Sequence, residues 1–324
     1  MKTLVRLCGA VLALSAALAA SVPAAAQATY PSQPVKMIVP FPAGTSPDVV
    51  ARHVAQKLQD RTGQPFVIEN RAGAGGSIAA ASAARAAPDG YTTFFMVNSI
   101  VAMNQFIYKN LGYDPVKDFA AVSMIAGVPY VLVANKDFHA RTLKDLIAAA
   151  KAKPGSIDYA SYGVGGAGHI IIELMNTLAG IRMTHIPFKT DALTNVIGGQ
   201  VPLILQPTTT AVAQVKAGTL IALGTTSAKR LPMLPDVPSI AEVVPGFAAD
   251  GWQGMLVPAG TPPAIIERLN KEITAILALP ETVERFAALG IEPWTSTPQQ
   301  MQDTITADIE KWGKVIREAG IQAQ

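Results

Sequence analysis

The chain has 324 residues, of which 26 are Lys or Arg, 23 are Asp or Glu and one is Cys, for a formal charge of +3. Such a length holds more than one hydrophobic core, and near-neutral charge without a basic run leaves no electrostatic footprint for nucleic acid. A lone cysteine excludes an internal disulfide framework. His53, His139, His169 and His185 contain no His-Glu-x-x-His pattern and no pair four residues apart, which argues against a metal site.

Lys2 and Arg6 open the chain, and residues 4–22 follow without an acid and rich in Ala and Leu. Ala26 and Ala28 fit an A-x-A cut, which predicts a signal peptide over residues 1–28, removed after Ala28, and an exported protein. Gly9, Ser15, Ser21 and Pro23 interrupt the apolar stretch, whereas a membrane span needs about 20 predominantly apolar residues. Cys8 lies well upstream of the cut, so no lipid-anchoring cysteine begins the mature chain. Loss of Lys2 and Arg6 leaves a charge of +1 on about 296 residues without cysteine, whose stability must come from an apolar core.

Strand-like and helix-like patterns then alternate. Residues 35–40 read as a strand and 48–61 as an amphipathic helix. Residues 65–70 read as a second strand, 71–76 as a Gly-rich turn and 77–87 as a helix. A Pro-Asp-Gly turn at 88–90 precedes a third strand over 92–97. After a loop-rich stretch near 114–119, strands are predicted over 128–134, 157–160, 183–188, 201–205 and 220–225, and helices over 143–153 and 169–179. Helical patterns over 262–277, 281–289 and 298–319 close the chain, with Thr261 and Thr297 as caps before proline. This rhythm predicts an α/β fold with largely parallel sheets and two lobes. The lobes are expected over residues 29–127 with 251–324, and over 128–250. Asp250 and Trp252 mark where the chain could cross back, with Trp252 in core or hinge packing.

In open α/β sheets ligands bind beyond the carboxyl ends of the strands, and two strand-to-helix loops stand there. In Pro40–Asp48, the residues Thr45, Ser46 and Asp48 are candidate caps and Pro47 suits a first helical position. The free N–H groups of such a helix start favour an anion. In Ala160–His169, Gly163, Gly165, Gly166 and Gly168 let the backbone approach a ligand and turn N–H groups inward. That loop lacks the Lys of a P-loop and completes no G-x-G-x-x-G pattern, and Ser161 does not sit in a G-x-S-x-G elbow. Both loops can equally be read as plain capped turns.

Ordered segments along the mature chain carry a resemblance. They include Tyr30-Pro31-Ser32-Gln33-Pro34-Val35, Glu69-Asn70-Arg71-Ala72-Gly73-Ala74-Gly75-Gly76, Ala87-Pro88-Asp89-Gly90-Tyr91-Thr92, Tyr113-Asp114-Pro115-Val116-Lys117-Asp118-Phe119, Ile186-Pro187-Phe188-Lys189, Leu234-Pro235-Asp236-Val237-Pro238 and Val257-Pro258-Ala259-Gly260-Thr261-Pro262. In these the sequence resembles the Bug (TctC-like) family, the periplasmic receptors of tripartite tricarboxylate transporters. The resemblance implies a periplasmic-binding-protein type II architecture of two α/β lobes with a ligand cleft between them. It also implies a small carboxylate ligand gripped by backbone amides and bridging waters from one loop of each lobe, and membrane components of a tripartite transporter as partners. No cofactor, catalysis or nucleic acid is expected, and the protein is expected to be a monomer.

The site residues expected on this basis are Phe41, Ala43, Gly44, Thr45 and Asp48 from the first lobe, and Ser161, Gly163, Gly165, Gly166 and His169 from the second, with Lys189 and Gln206 as weaker candidates. Asp48 is expected to order the loop rather than face an anionic ligand. Several family positions differ here. Thr45 replaces a glycine, and Gly166-Ala167-Gly168 stands where a hydroxyl residue is common. Leu205-Gln206-Pro207 stands for F-D-N, Phe188-Lys189-Thr190 for Y-K-G, and Val97 and Val101 for Thr and His. Fewer hydroxyls favour a less polar ligand, aromatic or monocarboxylic, over citrate. Two alternatives remain open at this point: an exported serine hydrolase using Ser161 with His169, or a ligand sensor acting with a signalling partner.

Overall fold

The structure is a computed structural model that describes residues 30–188 and 190–323; the expected signal peptide, its cut after Ala28, and Lys189 lie outside the described residues. The elements run β1 (Val35–Val39), α1 (Ser46–Thr62), β2 (Phe66–Asn70), α2 (Ser77–Ala84), β3 (Thr92–Val97), α3 (Asn98–Ala102), α4 (Asn104–Ile107), β4 (Phe119–Val128) and β5 (Tyr130–Asn135). Next come α5 (Leu143–Ala152), β6 (Asp158–Ser161), α6 (Ala167–Ala179), β7 (Thr184–Pro187), α7 (Ala192–Ile197), β8 (Leu203–Pro207), α8 (Thr208–Lys216) and β9 (Leu220–Thr225). The chain finishes with β10 (Gly251–Pro258), α9 (Pro263–Leu277), α10 (Pro280–Leu289), β11 (Glu292–Pro293) and α11 (Pro298–Glu318).

The strands form a six-stranded sheet, β11-β4-β10-β3-β1-β2, and a five-stranded sheet, β7-β6-β8-β5-β9. β1 runs parallel to β2 and β3, as β6 does to β7 and β8, but these are four of nine pairings among the described residues, so the sheets are mixed rather than largely parallel as expected. β10 opposes β3 and β4, β11 opposes β4, and β5 opposes β8 and β9. β5 and β10 are the strands the chain enters as it passes from one sheet to the other. They run away from the boundary, and the parallel strands therefore run towards it. The pairings Gln253↔Val97 and Tyr130↔Pro207 place the C-terminal ends of β3 and β8 beside the two crossovers. Both loops singled out from the sequence leave parallel strands at this boundary.

The packing joins the two halves. Residues 33–324 form one compact unit, and one apolar cluster takes Leu132 and Leu205 from the second sheet, Ile170 and Met175 from α6, Met103 and Ile107 from around α4, and Trp312 and Ile316 from α11. Helix α11 begins as its sequence predicts: Thr297 Oγ1 accepts the Gln300 N–H, the Gln300 side chain returns to the Thr297 N–H, and Pro298 occupies the first turn. Helix α9 corrects the expectation at Thr261, whose hydroxyl donates to Pro258 O at 2.7 Å while the helix starts at Pro263 without a side-chain cap. Trp252 lies in the core and donates Nε1–H to Asp308 Oδ2 at 2.8 Å, tying β10 to α11. No helix among the described residues is long and apolar enough to cross a membrane.

α1 and α9 share a buried acid. Glu272 accepts from Arg61 Nε at 2.6 Å and pairs with Arg268 Nε at 3.0 Å. Both guanidiniums are partly solvated and can rehydrate if the acid is removed, so Glu272→Ala is expected to cost about 1–2 kcal/mol rather than the larger price of a fully buried pair. Urea unfolding measures it, and an unchanged midpoint would refute this clamp.

Candidate functional site

The first loop is built around one carboxylate. The chain leaves β1 at Val39 and turns at Gly44, whose φ of +82° suits glycine. Asp48, buried in the first turn of α1, accepts the Gly44 N–H and Arg52 Nε–H on Oδ2, both at 2.9 Å, and Asn70 Nδ2–H on Oδ1 at 2.8 Å. The same Asn70 amide donates to Phe41 O at 2.9 Å. Burial works to raise the Asp48 pKa, but the hydrogen bonds from Arg52, Gly44 and Asn70, with the Arg52 charge, hold it below its usual value. Asp48 therefore braces the loop it belongs to.

Thr45 has the extended backbone of a cap position, yet its hydroxyl donates to Pro42 O at 2.7 Å and no side chain caps the helix. Pro47 has no N–H to offer, and the first-turn amides of α1 keep their polarity for another acceptor. Ser46 sits at the helix start with its Oγ accepting Gln253 Nε2–H at 3.1 Å; the buried Gln253 Oε1 has no hydrogen-bond partner. Ala43 and Gly44 are exposed, and Phe41 packs at the edge of the first core.

The second loop is held by two histidines. Gly163 and Gly165 have φ of +120° and +77°, and α6 starts from Gly166 without a side-chain cap. His169 Nδ1 accepts the Gly165 N–H at 3.0 Å. Ser161, almost fully buried, meets His185 Nε2 at 2.6 Å and approaches Gly163 O at 2.9 Å. The two imidazoles stack at 3.7 Å with 8° between their planes, and Tyr159 lies beside the stack, 5.1 Å from His185 and 6.3 Å from His169. Burial first, and the neighbouring His185 second, push the His169 pKa down to about 4; burial does the same for His185.

These contacts correct one expectation. Ser161 is paired with His185, not with His169, because the parallel pairing of β6 and β7 sets His185 beside Tyr159. The hydroxyl is buried and the imidazole is packed against His169 and Tyr159, an arrangement that serves the loop rather than an incoming acyl group. His185, Asn70, Arg52 and Gln253 were absent from the residues expected at the site. Only Asn70 had a signal, within Glu69-Asn70-Arg71-Ala72-Gly73-Ala74-Gly75-Gly76.

The described contacts bring Phe41, Gly44 and Asp48 into one group and Ser161, Gly163, Gly165 and His169 into another. Gln206, buried at the end of β8, donates Nε2–H to Tyr162 OH at 3.4 Å and accepts from Thr210 Oγ1 at 3.2 Å, which joins it to the margin of the second group. The second loop also touches the other half of the molecule. A Cβ on Gly165 would stand 2.3 Å from Ile107 Cγ2, so glycine lets this loop approach the end of α4. A separate surface groove, lined by Asn135, Phe138 and Gly199 among others, lies at the opposite end of the second sheet.

Comparison with known proteins places this arrangement. The model of the tripartite tricarboxylate transporter family receptor matches residues 50–321. Protein BugT of Bordetella pertussis is 38% identical over 296 residues, covering 90% of this chain and 91% of that protein. The structure of R. palustris Rpa4515 with adipate matches with a TM-score of 0.85 at 36% identity, over 91% of this chain and 100% of its own. MatC from Rhodopseudomonas palustris with bound malate matches with a TM-score of 0.79 at 29% identity, over 89% of this chain and 100% of its own.

Proposed function

We propose that this chain, which belongs to the tripartite tricarboxylate transporter receptor family, captures a small organic acid between its two sheets. Residues 29–127 with 251–324, and residues 128–250, act as lobes that close on the ligand and present it to the membrane components of a transporter, in the periplasm and as a monomer. The observation that carries this reading is the state of the two loops. Each runs from a parallel strand into a helix whose start no side chain caps. The polar side chains nearest them, Asp48, Thr45, Ser161 and His169, are engaged in bracing the loops themselves. Backbone N–H groups are left to receive a carboxylate, directly or through water. Adipate and malate in two related structures support a carboxylate as the ligand class.

Ala43 and the run Gly166-Ala167-Gly168 bring no hydroxyl, and the Thr45 hydroxyl is turned to Pro42 O. We therefore assign the cleft to a less polar acid, aromatic or monocarboxylic. Ligand closure follows from contacts made only when both loops engage one molecule. Titration calorimetry against adipate, malate, citrate and benzoate tests the assignment. Saturable binding in which benzoate exceeds citrate by about tenfold, a difference near 1.4 kcal/mol, is expected. Tight citrate binding with no response to aromatic acids would overturn the preference, and silence across all four acids would overturn the acid-capture reading.

A further inference from the structure

The stacked imidazoles are more than a structural detail of the second loop, because the bond to His169 is specific to one protonation state and the two rings share a buried stack. The Gly165 N–H points at His169 Nδ1, so that nitrogen carries no proton and the proton of the neutral ring is on Nε2. Protonating His169 must place the new proton on Nδ1, where it meets the Gly165 N–H donor to donor, and the bond is lost. Ser161 Oγ donates to Gly163 O at 2.9 Å and accepts the Gly163 N–H at 3.2 Å, so at the 2.6 Å contact with His185 Nε2 the ring is the donor. One ring thus holds Gly165 and the other, through Ser161, holds Gly163, with the faces 3.7 Å apart. A charge on either ring would be set against its neighbour in a buried position.

We infer that His169 and His185 are a pair of positioning residues that keep the glycine-rich loop in its ligand-receiving shape, and that they do so only while both are uncharged. The inference rests on the reading of this loop as part of the acid-binding site. The groups facing the rings agree with it. From β6 comes Tyr159, whose hydroxyl donates to Glu173 Oε1 of α6 at 2.5 Å; that carboxylate also accepts Asn176 Nδ2–H at 3.1 Å. β7 and α6 supply the two rings, the Glu173 carboxylate of α6 is taken up by Tyr159 and Asn176, and no acid pairs with either ring among the described residues. Burial, joined for His169 by the neighbouring His185, holds both pKa values down to about 4. The sign follows: a histidine whose pKa is depressed in the held loop takes its proton more readily once the loop is released. The held loop therefore loses stability progressively as pH falls below the ordinary value near 6.5, and the proton enters the held state near 4. At neutral pH the loop offers an anion its amides without a cationic side chain; in acid it lets go.

The test reads the loop directly and needs no ligand. Amide and imidazole resonances of the purified protein are followed from pH 7.5 to 4 in wild type, His169→Gln and His169→Leu. In wild type the Gly165 amide is expected to move together with both imidazoles, with a midpoint well below 6. The Gln side chain retains a carbonyl acceptor for the Gly165 N–H but has no proton to gain, so its Gly165 amide should not titrate; Leu should displace that amide at every pH. Histidines that titrate independently near 6.5, or a Gly165 amide that ignores them, would overturn the inference. Adipate titrations at pH 7.5 and 5 supply a second readout, in which protonation of the probe is common to all proteins and cancels in their ratios. His169→Leu should lose about tenfold in affinity at pH 7.5, Gln should recover part of it, and the further loss at pH 5 should be larger for wild type than for Gln. If adipate binds and Gly165→Ala leaves it unaffected, the loop is not the acid site, and the reading of function falls while the amide titration still decides the role of the histidines.

Discussion

Asp48→Ala is expected to lower the free energy of unfolding by about 3 kcal/mol, since it strips the acceptor from several donors at once. The carboxylate is 2% exposed and gathers Gly44 N–H, Asn70 Nδ2–H and Arg52 Nε–H. Arg52 is half exposed and can turn to water, so its share is small. The Gly44 and Asn70 groups are fixed by the turn and by β2, and they carry most of the cost. Because the folded-state pKa lies below the usual 3.8, the stabilisation is complete above the unfolded value of about 3.9 and is lost as pH falls through the lower folded one. Urea unfolding at pH 7 and pH 3 should show a wide gap between wild type and Asp48→Ala that narrows in acid. A gap of the same size at both pH values would show that the charge is not what holds the loop. Ligand affinity should fall with the loop, because the turn at Gly44 sets the direction of the first-turn amides of α1.

Gly165→Ala carries two penalties at one atom. The residue has φ +77°, a conformation L side chains rarely adopt, and its new Cβ would lie 2.3, 2.7 and 2.8 Å from Cγ2, Cγ1 and Cδ1 of Ile107. Ile107 is fully buried in the cluster shared by both halves, and its branched side chain has no free rotamer to retreat into. The substitution should cost about 2–4 kcal/mol through strain and overpacking combined, and weaken acid binding by at least about tenfold. Ile107→Ala relieves the clash but not the backbone strain, and by itself costs about 2–4 kcal/mol for its cavity. In the double variant the two costs should fall short of their sum by more than about 1 kcal/mol, the mark of residues in contact. Strict additivity, with acid affinity unaltered in Gly165→Ala, would refute the close approach of the loop to α4.

Much of the architecture was legible in the sequence because it is written in local patterns. The helix expected over 48–61 is found at Ser46–Thr62, and the one expected over 298–319 at Pro298–Glu318, since amphipathic spacing, prolines and a capping box are all short-range signals. β4 and β10 were missed for the opposite reason. Every residue of Gly251–Pro258 is buried, so no polar face alternates with an apolar one, and glycines at 251 and 254 weaken the strand signal further. α3 and α4, at 5 and 4 residues, are too short to display a period.

The site divides in the same way. Which loops bear the chemistry followed from strand ends, glycines and helix starts, all readable in the chain and strengthened by the family resemblance. Which side chains hold those loops did not. Asn70 reaches Asp48 across 22 positions because β1 and β2 are neighbours, His185 reaches Ser161 across 24 because β6 pairs with β7, and Gln253 reaches Ser46 across 207 because β10 returns beside β3. The sequence by itself determined the alternation of elements, the near-neutral charge, the absence of a disulfide framework and the glycines where the backbone must turn. Only the tertiary structure decided that Asp48 braces its own loop, that Ser161 answers to His185, and that Gly165 must lack a side chain to clear Ile107. The physical reason is one of range: helical periodicity and capping act within a turn or two, whereas hydrogen bonds and excluded volume between distant segments exist only after sheet order has brought those segments together.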